Sequence, residues 1–385
     1  MTEIELTYVV FLISFLFFHK KQWFSYIILA FIVVVIGANT LNCDLDYRTG
    51  NTDVYYSLYS SSELFSTDIG YGLLMNLFKT IGVSYKYFRL ICAVILFYLY
   101  NKFVRKYSHC IALVYLLYII YPFIYDVVAQ RNTFGMFIWI FSLQYLIDGS
   151  KDGRIKYMIG NLIAGSMQIT LFVYLPFVLL NPNKTFQYND SILKINMKNT
   201  ILNKKIRYGL FFIILISIII GISPNLLETF MKYIGKVIFG EERRSEYFGN
   251  ITKYYWMLLW AEQFFSFALV YFISNKLIKT EDDENKTKFY VLTYLINLYA
   301  FVFLPFYVLS GQFFRLGKNI IPLNIIVYSN YWKSHPYSLL FPIIIVYQIF
   351  MFFMHIYLGG NWFIPIYDPI VENNWIYEIG LKPIE

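Results

Sequence analysis

Residues 111–147 read IALVYLLYIIYPFIYDVVAQRNTFGMFIWIFSLQYLI. Two apolar runs, Ile111 to Tyr125 and Arg131 to Ile147, stand almost end to end, and the second opens on an arginine. Runs of about 18 to 20 residues are long enough to cross a hydrocarbon core of roughly 30 Å as helices. Lipid offers the backbone no hydrogen-bond partner, so spanning segments of this kind are helical. Arg315 repeats the arrangement: it opens the run Arg315 to Asn330 shortly after the run Phe289 to Leu309. An arginine at the mouth of a membrane helix is costly unless it snorkels to water or serves a polar cavity. Both arginines have polar neighbours, Asp126, Gln130 and Asn132 for Arg131 and Gln312 for Arg315. Two fixed cations at one depth point to a site for a phosphate-bearing ligand at the membrane surface, with snorkelling anchors as the competing reading.

The rest of the chain fits a membrane protein. Of 385 residues, 58% are hydrophobic, 21% aromatic and 15% charged, and the mean hydropathy is +0.53. Soluble domains keep roughly a quarter of their residues charged. The predicted fold class is all-α, a polytopic integral membrane protein with about twelve transmembrane helices. The spans are Ile4 to Phe18, Trp23 to Leu41, Lys86 to Val104, Ile111 to Tyr125, Arg131 to Ile147, Lys156 to Ser166, Ile169 to Leu180, Tyr208 to Ile222, Tyr255 to Ile273, Phe289 to Leu309, Arg315 to Asn330 and Tyr337 to Tyr357. The pair flanking Gln168 is short and reads either as one kinked span or as two half-helices. The first stretch has no basic residue before its apolar core and no small-residue cleavage site, so it reads as a retained helix. Neither an internal repeat nor a soluble domain stands out, which makes residues 1–385 one polytopic membrane domain.

Lysine and arginine in the short loops give the direction of crossing. The segments at Lys20-Lys21, Lys102 to Lys106, Lys151 to Lys156, Lys184 to Arg207 and Lys276 to Lys288 are basic and alternate with the other loops. Placing them in the cytoplasm puts both termini outside, together with the longer loops 42–85 and 223–254. The net charge of +8 then reflects anchoring beside anionic headgroups and does not indicate nucleic-acid binding. Cys43, Cys92 and Cys110 are scattered, and no CxxC or His/Cys spacing exists, so no metal site and no cofactor are expected.

The outer loops carry the candidate chemistry. Loop 42–85 holds Asp44, Asp46, Asp53, Glu63 and Asp68 among many tyrosines. Asp53, Tyr56 and Tyr59 recur every third residue and would share a helix face. Tyrosine suits stacking on sugars and equally suits an interfacial aromatic belt. The apolar stretch Ile69 to Ile81 is short for a span and reads as an amphipathic or re-entrant segment. In loop 223–254, Arg243 and Arg244 could hold an anionic headgroup, although a mixed charge run is commonly a solvated face.

Several stretches then resemble one family. Asn51 to Leu90 (NTDVYYSLYSSSELFSTDIGYGLLMNLFKTIGVSYKYFRL) is similar to the EpsG family of membrane polysaccharide polymerases. Its Asp-x-x-Tyr falls on Asp53 and Tyr56, its acidic-x-Gly-Tyr element on Asp68, Gly70 and Tyr71, and its Gly-x-Ser-Tyr turn on Gly82 and Tyr85. AQRNTFGMFIWIFSLQYL resembles the family's Arg-Gln-x-x-Ala helix through Arg131, with Asn132 in place of the glutamine. AGSMQITLFVYLP resembles its Ala-Ser-x-x-His break, with Gln168 where a histidine is common. QFFRLGKNII resembles the late arginine segment at Arg315, and FIPIY a terminal Pro-x-Tyr element near Tyr367. Because Gln168 does not titrate, a proton-carrying role cannot pass to it, but it can orient a sugar hydroxyl.

The resemblance implies a Wzy-type polymerase at the outer face of a bacterial inner membrane. Such enzymes join repeat units carried on undecaprenyl diphosphate, moving the growing glycan to the non-reducing end of a new lipid-linked unit. Diphosphate departure needs cations, and the attacking hydroxyl needs a base. The implied roles are Arg131 and Arg315 for the diphosphate and Asp53 for the base, with Asp68 and Asp46 behind it. Tyr56, Tyr71, Gln168, Arg243 and Arg244 complete the substrate-binding candidates. The implied partners are the undecaprenyl-diphosphate-linked oligosaccharide, membrane lipid and a chain-length regulator protein. Two rivals remain: a polyprenyl-phosphate-dependent glycosyltransferase, which the acidic pair Asp44-Leu45-Asp46 would suit, and a lipid-linked oligosaccharide flippase.

Overall fold

The computed structural model describes residues 3–38, 59, 68–179, 208, 211–212, 214–216, 219, 229, 255–309, 313–358 and 374–376. Among these residues the secondary structure is helical and contains no strand. Contacts along the chain define two compact units, Met1–Thr185 with Ser329–Glu385, and Phe186–Tyr328.

The first unit begins with α1 (Glu3–Phe18) and α2 (Gln22–Gly37). Buried Phe24, Ile28, Ile32, Val35 and Ile36 form one stripe along α2 at helical spacing. The short helix α3 (Ile69–Thr80) buries Tyr71, Gly72 and Met75, while Ile69, Leu73 and Leu77 stay exposed. Twelve residues reach only about 18 Å at the helical rise, short of a bilayer. This is the amphipathic, non-spanning segment that the sequence suggests. Gly82 follows with φ +79°, a left-handed value that a side chain resists. Its amide donates to Lys79 O and the next amide, on Val83, donates to Phe78 O, closing α3 and turning the chain into α4 (Tyr85–Tyr107).

α5 (Ile111–Ile120) stops at Tyr121-Pro122, and α6 (Phe123–Val128) resumes after the proline. Proline has no amide to donate and its ring crowds the preceding turn, so the run Ile111 to Tyr125 is two helices. A second interruption at Ala129 precedes α7 (Gln130–Ile147). α8 (Lys151–Met167) starts on Ser150, whose hydroxyl accepts from Gly153 N. It stops at Gln168, and the chain continues as the 3-10 segment Ile169–Leu179. The unit is completed by α14 (Leu340–Leu358), which packs on α5. It also includes Asn374 and Trp375, which bond to Val34 O and Ala38 O at the end of α2.

The second unit contains α9 (Tyr255–Thr280) and α10 (Glu284–Tyr299). The Asp283 carboxylate caps α10 by accepting from the amides of Asn285 and Lys286. After the 3-10 turn Ala300–Phe303 come α11 (Leu304–Leu309), α12 (Phe314–Lys318) and α13 (Ile321–Ser334), the last contributing its residues up to Tyr328.

Among the described residues three stretches, Tyr85–Tyr107, Tyr255–Thr280 and Glu284–Val308, are long and apolar enough to cross a membrane, and shorter apolar helices accompany them. The expected count of about twelve is larger than these lengths establish. The expected span Tyr208 to Ile222 falls largely outside the described residues.

Candidate functional site

In the first unit, the start of α3, the start of α7 and the end of α8 converge. Asp68 occupies the residue before α3 with extended backbone, yet its side chain makes no capping bond. It pairs instead with Arg131, whose Nη1 lies 3.1 Å from Asp68 Oδ2, with side chains 24% (Arg131) and 11% (Asp68) exposed. A Cβ at Gly70 would run into Ser166, so α3 lies directly against the last turn of α8. Gln168 follows two residues later, buried at the break. Tyr71 is fully buried, its ring edge-on to Phe88 and Phe134 at 6.0 and 5.7 Å. Asp68, Arg131 and Gln168, read separately in the sequence, thus belong to one unit, while Tyr71 serves its core.

Beside this pair lies a carboxylate that the sequence reading treated only as a neighbour. Asp126, on α6, is fully buried. Its Oδ2 accepts from Tyr118 OH at 2.7 Å, and its Oδ1 from Thr133 Oγ1 at 3.0 Å. Burying a carboxylate is tolerable only when both oxygens are engaged in this way. Gln130 and Asn132, on either side of Arg131, are buried as well, so buried polar side chains gather in the first turn of α7. His355, on α14, is fully buried with its ring stacked on Tyr121 at 5.3 Å and its Nε2 3.0 Å from Tyr121 OH. A lone charge or histidine within an apolar run is the signal that marks both. Nearby, Tyr59 donates to Val83 O at 2.6 Å and packs against Tyr85 and Phe88. Burial, with Cys92 as a smaller cause, pushes the Tyr59 hydroxyl above its ordinary pKa.

Arg315 belongs to the second unit, on the five-residue helix α12. Its side-chain Nε is buried and has no hydrogen-bond partner among the described residues. Asp46, Asp53, Tyr56, Arg243, Arg244 and Tyr367 lie outside the described residues. Cys92 and Cys110 are buried free thiols. Among the described residues no three His, Cys, Asp or Glu side chains cluster as a metal site would require.

Apolar helices long enough to cross a bilayer, accompanied by shorter helices whose breaks carry an ion pair and buried polar groups, define the class: a helical membrane protein with a polar site at those breaks. A family model described as EpsG family matches residues 22–366. The chain belongs to the EpsG family, a family of Wzy-type membrane polysaccharide polymerases. No curated protein matches the chain, and no solved structure does.

Proposed function

We propose that this protein polymerises a lipid-linked glycan at the outer face of a bacterial inner membrane. It would take the growing chain from undecaprenyl diphosphate and transfer it to the non-reducing-end hydroxyl of the next lipid-linked unit. The observation that carries the reading is the Arg131–Asp68 contact at the mouth of α7, in a chain of this family. In the reaction, the bond between the anomeric carbon and the diphosphate oxygen breaks, and the acceptor oxygen forms the new glycosidic bond. The hydroxyl proton passes to a carboxylate, and negative charge accumulates on the departing diphosphate.

Guanidinium suits that diphosphate because it stays charged and presents paired donors. In this reading Arg131 exchanges Asp68 for the diphosphate, and the released carboxylate turns to the acceptor. Arg315 holds the same group or its lipid-side phosphate, and Arg243 and Arg244 supplement it. Asp53 is the proposed base, with Asp68 and Asp46 behind it. Tyr56 stacks on a sugar ring, Gln168 orients a hydroxyl, and Tyr71 props the start of α3. The chain crosses about twelve times as one membrane domain, with loops 42–85 and 223–254 outside. A chain-length regulator is the proposed protein partner.

The test is complementation of a deletion strain, with chain length read on a gel. Asp53→Asn should leave mainly single-unit product at normal protein level, a loss of roughly 10²- to 10⁴-fold in rate. Glu63→Gln should be nearly silent. Normal chains from Asp53→Asn together with short chains from Asp46→Asn would move the base to Asp46 and favour the polyprenyl-phosphate class. Reporter fusions at Asn51 and Asn285 should read opposite sides, and a cytoplasmic signal at Asn51 would overturn the topology.

A further inference from the structure

The second unit contains a cavity that none of the assignments above uses. Its walls include Glu262, Gln263 and Ser266 of α9, Asn297 of α10, Tyr307 of α11 and Asn324 of α13. The enclosed part has room for about one water-sized group, and with its mouth the empty space comes to about 300 Å³. Glu262 is the only charged residue between Tyr255 and Asn275, in a helix of spanning length. A carboxylate at such a position is expensive in a bilayer and marks function unless it is purely structural.

The neighbouring amides are already committed. Asn297 donates to Asn324 Oδ1 at 2.7 Å, and Asn324 donates back to Asn297 Oδ1 at 3.0 Å. The second hydrogen of Asn324 goes to Ser266 Oγ at 2.8 Å, and that of Asn297 to Thr293 O at 2.9 Å. Both amide groups therefore have their donors spent inside the wall. This fixes the wall, and what it presents for a ligand is a carboxylate and the Gln263 side-chain carbonyl, which accept, and the Tyr307 hydroxyl, which keeps a proton to donate. A recess led by a carboxylate calls for a ligand that donates, which means hydroxyl groups or a cation. One carboxylate among neutral amides, with the rings of Tyr307 and Phe314 on the wall, matches a sugar better. A hard cation gathers several oxygen ligands around itself, whereas a sugar ring offers donors at its edge and an apolar face for aromatic side chains.

We infer that this cavity is a saccharide subsite, in which a sugar ring lies across the mouth and projects a hydroxyl inward to the Glu262 carboxylate. The inference rests on the glycan-polymerase reading for the ligand's identity but assigns the second unit a binding role of its own.

The test uses the full-length protein in nanodiscs. The probe is the soluble repeat-unit oligosaccharide released by partial hydrolysis of the source strain's own polysaccharide, with binding followed by saturation-transfer NMR. Wild type should bind, and Glu262→Gln, which keeps the shape and removes the charge, should raise Kd at least tenfold. Ile321→Trp, which adds bulk on the cavity's apolar lining, should do the same without touching the carboxylate. Thermal melting of each variant establishes that it is folded. Wild-type affinity in both folded variants would overturn the subsite, as would absence of binding by the wild type. Sodium-dependent stabilisation that Glu262→Gln abolishes, with sugar binding unchanged, would replace it with a cation site. The polymerase reading is judged separately, by chain length in the deletion strain. Unchanged chains there would sink that reading and leave the binding result standing, while lost chains with unimpaired binding by the variants would sink only the subsite.

Discussion

In the first unit the group at the start of α7 is an ion pair between residues far apart in sequence, Arg131 and Asp68. In the second unit two buried neutral amides, Asn297 and Asn324, close into a reciprocal ring between helices. The difference concerns exchangeability. An anionic ligand can take the place of Asp68 at Arg131, because like replaces like and the guanidinium remains paired. Opening the amide ring strands several buried donors and acceptors at once, each costing about 1–3 kcal/mol. The first arrangement is suited to handing a ligand over, and the second to holding a wall still.

The largest effect should come from breaking the exchangeable pair. Arg131→Ala should abolish polymerisation, with a loss of roughly 10²- to 10³-fold or more. It should also destabilise the protein, by less than the roughly 3–5 kcal/mol of a fully buried pair, because the Arg131 side chain is 24% exposed. Adding Asp68→Ala should recover the melting temperature but not the chain length, and recovery of both would reduce the pair to a structural clip. Arg315→Ala should likewise abolish polymerisation while the protein still accumulates in the membrane. Lysine at either position should rescue in part, since it keeps the charge and loses the planar fork. Wild-type chain lengths in either alanine variant would demote that arginine to an anchor.

Next in size is the rigid wall. Asn324→Leu should lower stability by about 1–3 kcal/mol for each group it strands, measured by thermal melting in detergent. A melt within a degree of wild type would show that the ring is not holding the unit together. Gly82→Ala, in the first unit, should cost roughly 1–2 kcal/mol through its left-handed backbone alone, since nothing lies within 4 Å of the added carbon. The smallest change is Tyr59→Phe, which removes the bond to Val83 O at about 0.5–1.5 kcal/mol.

Much of this was legible from the chain. The runs Lys86 to Val104, Tyr255 to Ile273 and Phe289 to Leu309 correspond to the three stretches of spanning length, because uninterrupted hydrophobicity over that distance has few other uses. The break at Gln168 was readable from the shortness of the two runs that flank it, whereas the turn at Gly82 was visible only through the family resemblance. The start of α8 at Lys151 lies ahead of the apolar run at Lys156, because Ser150 caps a turn too polar to register as part of a span. Arg131 and Asp68 were each noticed, but their pairing joins residues 63 apart, and no periodicity encodes such a contact. In the sequence Asp126 stands out only as a neighbour of Arg131, and Glu262 not at all, because acidic residues carry little weight in judging topology. Their importance emerges only when the partners from other helices are in view.

The clasp of Asn374 and Trp375 on α2 bears on how the protein is made. The Asn374 contact joins positions 340 residues apart, so α2 leaves the ribosome long before its clasp exists. At synthesis rates of about 5–20 residues per second, that interval is roughly 20–70 s. Throughout it, the Ala38 carbonyl at the end of α2 lacks the Trp375 amide, and the Val34 carbonyl has only its bond from Ala38 N. A nonsense mutation shortly before Asn374 would leave α1 through α14 translated yet deprive α2 of its clasp, placing the damage some 340 residues upstream of the cut.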